Sequence, residues 1–183
     1  MIKAQDYPGI YQSLGIDISN LGCIMLDTDK IEISTIIRNQ DLYFKEDEPD
    51  SHTQGAVSEN EPHVTLLYGL LQPGPELKDH VDLLLHDWQP GEIIIEKVGF
   101  FYSNDPKHPD FITIIAEVLV TPELLDGNGR MRMLPHINTF PTYKPHITLA
   151  YVKASSDWQN YVNALNERYA GQTVGYKGVN YGD

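Results

Sequence analysis

The sequence predicts an α+β fold in one domain over residues 1–183, built as two pseudo-symmetric lobes. Three observations carry this. Short β-branched runs are interspersed with segments of helical periodicity. The pattern Pro-His-(Val/Ile)-Thr-Leu-x-Tyr occurs twice, at 62–68 and at 145–151. A helix-like segment follows each copy, and the two histidines are 83 residues apart (146 − 63), enough to give each lobe one copy.

In chain order, 22–26 (GCIML) and 31–37 (IEISTII) read as two strands split by the polar turn Asp27 to Lys30. Residues 39–60 carry Asp41, Glu46, Asp47, Glu48, Asp50 and Glu59 with few apolar residues, the mark of a mobile, solvated acidic loop. After the first motif strand, Leu77, Val81, Leu84, Leu85 and Trp88 recur at helical spacing and Pro90-Gly91 closes the segment, predicting a helix over 76–88. EIIIEKVGFF (92–101) and FITIIAEVLV (111–120) read as strands joined by the turn-forming SNDPKHPD. Thr121 and Pro122 look like an N-cap and first helical residue, and DGNG (126–129) is expected to break the helix they open. After the second motif strand, Ser156 and Gln159 have capping-box spacing, and Trp158, Val162, Leu165 and Tyr169 share one helical face. A short strand is expected within 173–181.

Composition narrows the function. With 41% hydrophobic and 21% charged residues, the chain has the profile of a soluble globular protein. It shows neither a bilayer-spanning apolar run nor a signal-peptide core in MIKAQDYPGIYQ, so a cytoplasmic location is expected (the host cytoplasm for a phage-encoded chain) and no membrane partner. Cys23 is the only cysteine, which excludes an internal disulfide and a cysteine-based zinc site. A formal net charge of −13 repels long polyanions such as duplex DNA, while local donors in a cleft still suit a small anion.

The doubled motif carries the chemistry. On a strand, His63 and Thr65 share one face while Val64 and Leu66 share the other, and His146 and Thr148 stand likewise against Ile147 and Leu149. Either copy alone reads as a strand with a tolerated histidine. Of the seven histidines, however, only these two precede a threonine by two residues, and duplication of a purely structural strand has no reason to preserve the polar face. Two imidazoles provide a base and an acid for phosphoryl transfer, and the threonine hydroxyls can hold non-bridging phosphate oxygens. A zinc site lacks a matched third ligand, because Glu61 has Lys144 as its counterpart. No metal or cofactor is expected.

PHVTL and PHITL resemble the two signature motifs of the two-histidine (2H) phosphoesterase superfamily, which includes RNA-ligase-like proteins and 2′,3′-cyclic phosphodiesterases. The resemblance spans roughly Gly22 to Tyr181 in element order. It implies a bilobal fold of two antiparallel sheets flanked by helices around a central cleft, with metal-independent cleavage of ribonucleotide phosphodiesters. By matching position it makes His63 and His146 the acid/base pair, and Thr65 and Thr148 the phosphate-binding hydroxyls. Compact phage members degrade the cyclic oligonucleotide signals of CBASS defence, and the acidic composition favours a small substrate of this kind over long RNA. A binding module that sequesters a cyclic nucleotide or RNA end is the alternative from another class.

Around the motifs, Lys144 shares strand parity with His146 and can reach a phosphate, while Phe140 and Tyr143 can stack on a base. Tyr68 and Tyr151 fall on the parity of Val64 and Ile147 and are expected in the core. Arg130, Arg132, Lys107 and His108 read as solvated positions at the edge of the cleft or away from it.

Overall fold

The computed structural model describes residues 8–138 and 140–182. The elements run α1 (Pro8–Ser13), β1 (Gly22–Thr28), α2 (Val57–Asn60), β2 (His63–Leu70), α3 (Lys78–Leu84), β3 (Ile93–Tyr102), β4 (Phe111–Val118), α4 (Pro122–Met131), β5 (His146–Lys153), α5 (Trp158–Tyr169), β6 (Thr173–Val174) and β7 (Tyr176–Asn180). All strand pairs are antiparallel, in the order β6-β3-β4-β5-β2-β1-β7. The two expected sheets are halves of one seven-stranded sheet, joined where the motif strands β2 and β5 meet at a single residue pair, Val64 with Ile147.

The strand expected over 173–181 is divided by Gly175. β6 pairs with β3 at one edge of the sheet and β7 pairs with β1 at the other. A one-residue link spans only about 10 Å from Thr173 to Tyr176, so the sheet curves until its two edges are neighbours.

Helices cover one face, with α4 against β2 and α5 against β3. Under them lie Val64, Leu66, Ile147, Leu149 and Ile114, and α5 adds its own Leu165, all 0% exposed. Burying each such side chain contributes about 1.5 to 3 kcal/mol. Thr121 caps α4 as expected, its Oγ1 accepting from Leu124 N at 3.2 Å. DGNG does not interrupt α4, because tertiary packing outweighs glycine's low helix propensity. A Cβ on Gly127 would stand 2.5 Å from the Trp88 ring, so only glycine lets the helix pack this closely. Asn128 turns inward to donate from Nδ2 to Leu66 O at 2.7 Å.

Other local expectations are corrected. The predicted strand at 31–37 is a turn in which Ile31, Ile33 and Ile37 are buried. The edges of β1 are already taken by β2 and β7, and the amides of Ile33 and Ser34 donate instead to Glu59 Oε1, at 3.0 and 2.9 Å. Residues 74–77 form a 3-10 turn before α3, and the apolar stripe of 76–88 still faces the core through Leu77, Val81, Leu85 and Trp88. The expected capping box is absent: Asp157 is the N-cap of α5, and Ser156 Oγ donates to Lys153 O.

The acidic segment 39–60 is anchored where a solvated loop was expected. Leu42 bridges to Val152, Tyr43 N donates to Tyr151 O at 2.8 Å, and Tyr151 N donates to Gly55 O at 2.9 Å. Beyond the Val64 and Ile147 pair, this segment takes the edge of β5 that β2 leaves. Lys45 is consequently only 9% exposed and bonds Asp105 at 2.8 Å.

Candidate active site

The single contact between β2 and β5 sets the site. With Val64 opposite Ile147 and both side chains wholly buried, continuing the antiparallel register puts His63 opposite Thr148 and Thr65 opposite His146. All four polar side chains stand on the face away from the helices, and all are half-buried. The strand order thus brings both expected pairs together across one strand boundary.

The imidazoles are held in matching ways. His63 Nδ1 lies 3.1 Å from Glu61 O, and His146 Nδ1 lies 3.3 Å from Lys144 O. A carbonyl can only accept, so each Nδ1 carries the proton and each Nε2 is left to exchange one with a ligand. Burial pushes the pKa of His146 below its ordinary 6.5, and the charge of His63 pushes the same way, against a bond to Lys144 O and the charge of Glu117. Glu117 is the β4 partner of His146 and pairs with Lys97 at 3.4 Å. His146 is therefore held in its neutral, base-competent form.

Both motif strands carry a bulge at the same place. In β2, Ile24 faces Leu67 and Met25 faces Thr65, leaving Leu66 as the additional residue. In β5, Ile114 faces Ala150 and Ile115 faces Thr148, leaving Leu149 as its counterpart. A bulge reverses the facing of the residues beyond it, so Tyr68 and Tyr151 turn to the histidine face, correcting their assignment to the core. Tyr151 lines a cavity of about 870 Å³ with His146 and Thr148. Tyr68 meets the Phe140 ring at 6.3 Å, and Phe140 lines the same cavity.

Of the remaining expected site residues, Phe140 is 46% exposed on the cavity wall. Tyr143 is turned away from stacking, its hydroxyl donating to Thr65 O at 3.0 Å and its ring packing on the core. Burial raises its pKa strongly, so the phenol remains a donor. Lys144 is exposed and lies outside that cavity's lining, though its carbonyl orients His146. Arg130 is engaged with Asp87 and Asp126. His108 contacts Tyr43 Oη at 3.0 Å through Nδ1.

Sequence reasoning missed Phe101, Lys45, Thr53 and Tyr151, which line the cavity. Phe101 stands edge-on to His146, with ring centroids 5.6 Å apart. Its only sequence signal was its alternation with Phe100 and Tyr102 in FFY. Among the described residues, the grouping with metal-ligand spacing is Asp47, Glu48 and His108, which includes neither motif histidine.

Residues 37–174 match the family described as the 2′-5′ RNA ligase superfamily. The chain belongs to that superfamily. It is a 2H phosphoesterase, and the matched span includes both His-x-Thr pairs. The chain is also similar to the solved structure of Kluyveromyces marxianus Usb1, at 7% identity and a TM-score of 0.44, with 84% of each chain covered. Comparison with curated proteins returns no significant match.

Proposed function

We propose that this 2H phosphoesterase is a metal-independent phosphodiesterase that cleaves a small ribonucleotide by acid/base catalysis between His146 and His63. One observation carries the reading: the pairing of Val64 with Ile147 gathers both His-x-Thr pairs on one face, each Nδ1 directed to a carbonyl two residues before it.

On a 3′,5′-linked substrate, His146 Nε2 takes the proton of the ribose 2′-hydroxyl. The 2′-oxygen then attacks phosphorus, the bond from phosphorus to the 5′-oxygen breaks, and His63 Nε2–H protonates the departing oxygen. The products are a 2′,3′-cyclic phosphate and a 5′-hydroxyl. When the substrate is itself a 2′,3′-cyclic phosphate, water enters from the side the 5′-oxygen left and gives its proton to His63 Nε2, the bond from phosphorus to the 2′-oxygen breaks, and His146 Nε2–H protonates that oxygen to leave a 3′-phosphate. On the 3′,5′-linked substrate His146 takes the base role because burial favours its neutral form, and His63 takes the acid role as its partner. Thr65 and Thr148 donate to the non-bridging oxygens, where charge grows in the transition state.

The net charge of −13 supports a substrate with few phosphates. Cyclic oligonucleotides and 2′,3′-cyclic mononucleotides both meet that condition, and an anti-CBASS role requires the former. The test incubates purified protein in EDTA with a panel of both, read by mass spectrometry and phosphorus NMR. Cleavage that disappears in the His63→Ala/His146→Ala protein supports the reading. Tight binding with every ligand intact replaces it with sequestration, and loss of cleavage in EDTA reversed by zinc replaces it with metal catalysis.

A further inference from the structure

We infer that the cavity beside His146 is a nucleobase slot, walled by Phe101 and Phe140, for the nucleoside whose 2′-oxygen is activated there. The slot deepens the phosphodiesterase reading and rests on it.

The cavity's volume of about 870 Å³ lies within the range of about 300 to 1,000 Å³ usual for small-molecule sites. That is room for one or two nucleotides. Four of its wall residues are large aromatics left open to solvent, Phe100, Phe101, Tyr102 and Phe140, and of these Phe101 stands edge-on to His146 while Phe140 meets Tyr68. Neighbouring large apolar side chains exposed in a concavity mark a binding surface. Phe101 is carried on a paired strand. Phe101 is cross-strand to Thr113, and Thr113 to Tyr151, so a continuous row on the cleft face leads from Phe101 to the strand of His146. Phe100 and Tyr102, which also line the cavity, rest against Trp158, with ring centroids 4.6 and 6.0 Å away.

The chemistry of the walls selects a base over a purely apolar ligand. Rings offer faces for stacking, while Lys45, Thr53, Asn104 and Asp105 in the same lining offer donors and acceptors to a polar edge. The Lys45 and Asp105 pair is held ready at 2.8 Å, each shifted toward its charged form by the bond to the other.

The cavity also has a side. His146 and Thr148 line it, whereas His63 and Thr65 do not. With His146 as the base, the ribose next to it carries the attacking 2′-oxygen and the 3′-phosphate. The slot therefore grips the nucleotide on the 3′-phosphate side of the reaction.

Isothermal titration with adenosine 3′-monophosphate, adenosine 5′-monophosphate and inorganic phosphate tests this on wild type, Phe101→Ala, Phe101→Leu and Phe140→Ala. Turnover of 2′,3′-cyclic AMP is followed in parallel. The 3′-monophosphate is expected to bind wild type more tightly than the 5′-isomer. Its affinity is expected to fall about 5- to 150-fold in each alanine variant, the range of base–aromatic stacking, with inorganic phosphate unaffected. Phe101→Leu, which keeps apolar bulk without a π-face, is expected to fall with Phe101→Ala. Equal binding of the two isomers, or unchanged affinity in both alanine variants, overturns the slot, and continued turnover then leaves the phosphodiesterase reading standing. Ring-dependent binding without turnover has the reverse meaning, supporting the slot and removing the catalysis. No binding of any probe overturns the slot.

Discussion

Val64 and Ile147 face each other across the one point where the two halves of the sheet are paired, and neither has any exposed surface. A change at this contact alters fold stability and site geometry together, since His63, Thr65, His146 and Thr148 are their chain neighbours. Ile147→Ala is expected to lower unfolding free energy by about 2 to 5 kcal/mol, as large-to-small core substitutions do. Urea denaturation measures it, and a loss below about 1 kcal/mol would mean the contact is not packed as described.

Asn128 supports the bulge from the helix side, since its Nδ2 supplies the bond to Leu66 O where β2 departs from regular pairing. Asn128→Ala leaves that buried carbonyl without this donor, at a cost of about 1 to 3 kcal/mol. Thermal and urea unfolding should both show the loss, and an unchanged midpoint would show that another donor replaces it.

Tyr143 ties the approach to β5 onto the carbonyl of Thr65. Tyr143→Phe keeps the ring and deletes the hydroxyl, so stability should fall by about 0.5 to 1.5 kcal/mol while kcat falls more than KM rises. A rise in KM alone would instead point to a direct role for the hydroxyl in substrate binding.

In the proposed mechanism His146 sets the acid limb of the pH profile. Its pKa is depressed by burial and by the His63 charge, so its neutral form persists to lower pH than that of an ordinary histidine. As the base for a 3′,5′-linked substrate, it should place the acid limb of kcat/KM for that substrate below 6.5. A limb above that value would assign the base role elsewhere.

Much of this site was readable from the sequence because period-two alternation determines which side chains share a face, and the duplicated PH(V/I)TL supplied both halves. The same rule misplaced Tyr68 and Tyr151. It assumes an uninterrupted strand, and the bulges at Leu66 and Leu149 come from pairing with β1 and β4. The helix through Gly127 depends on Trp88, which is distant in sequence. The anchored acidic segment depends on contacts such as Tyr43 with Tyr151 and Lys45 with Asp105. The split of the final strand at Gly175 depends on the curvature of the whole sheet. Local composition encodes none of these partners.

The most direct test is the initial rate of 2′,3′-cyclic mononucleotide and cyclic dinucleotide cleavage in EDTA by wild type, His63→Ala and His146→Ala, each shown to be folded by circular dichroism. The account predicts that each single substitution lowers kcat by about 10²- to 10⁴-fold without a comparable change in unfolding midpoint. Wild-type rates in either folded variant would contradict the two-histidine mechanism.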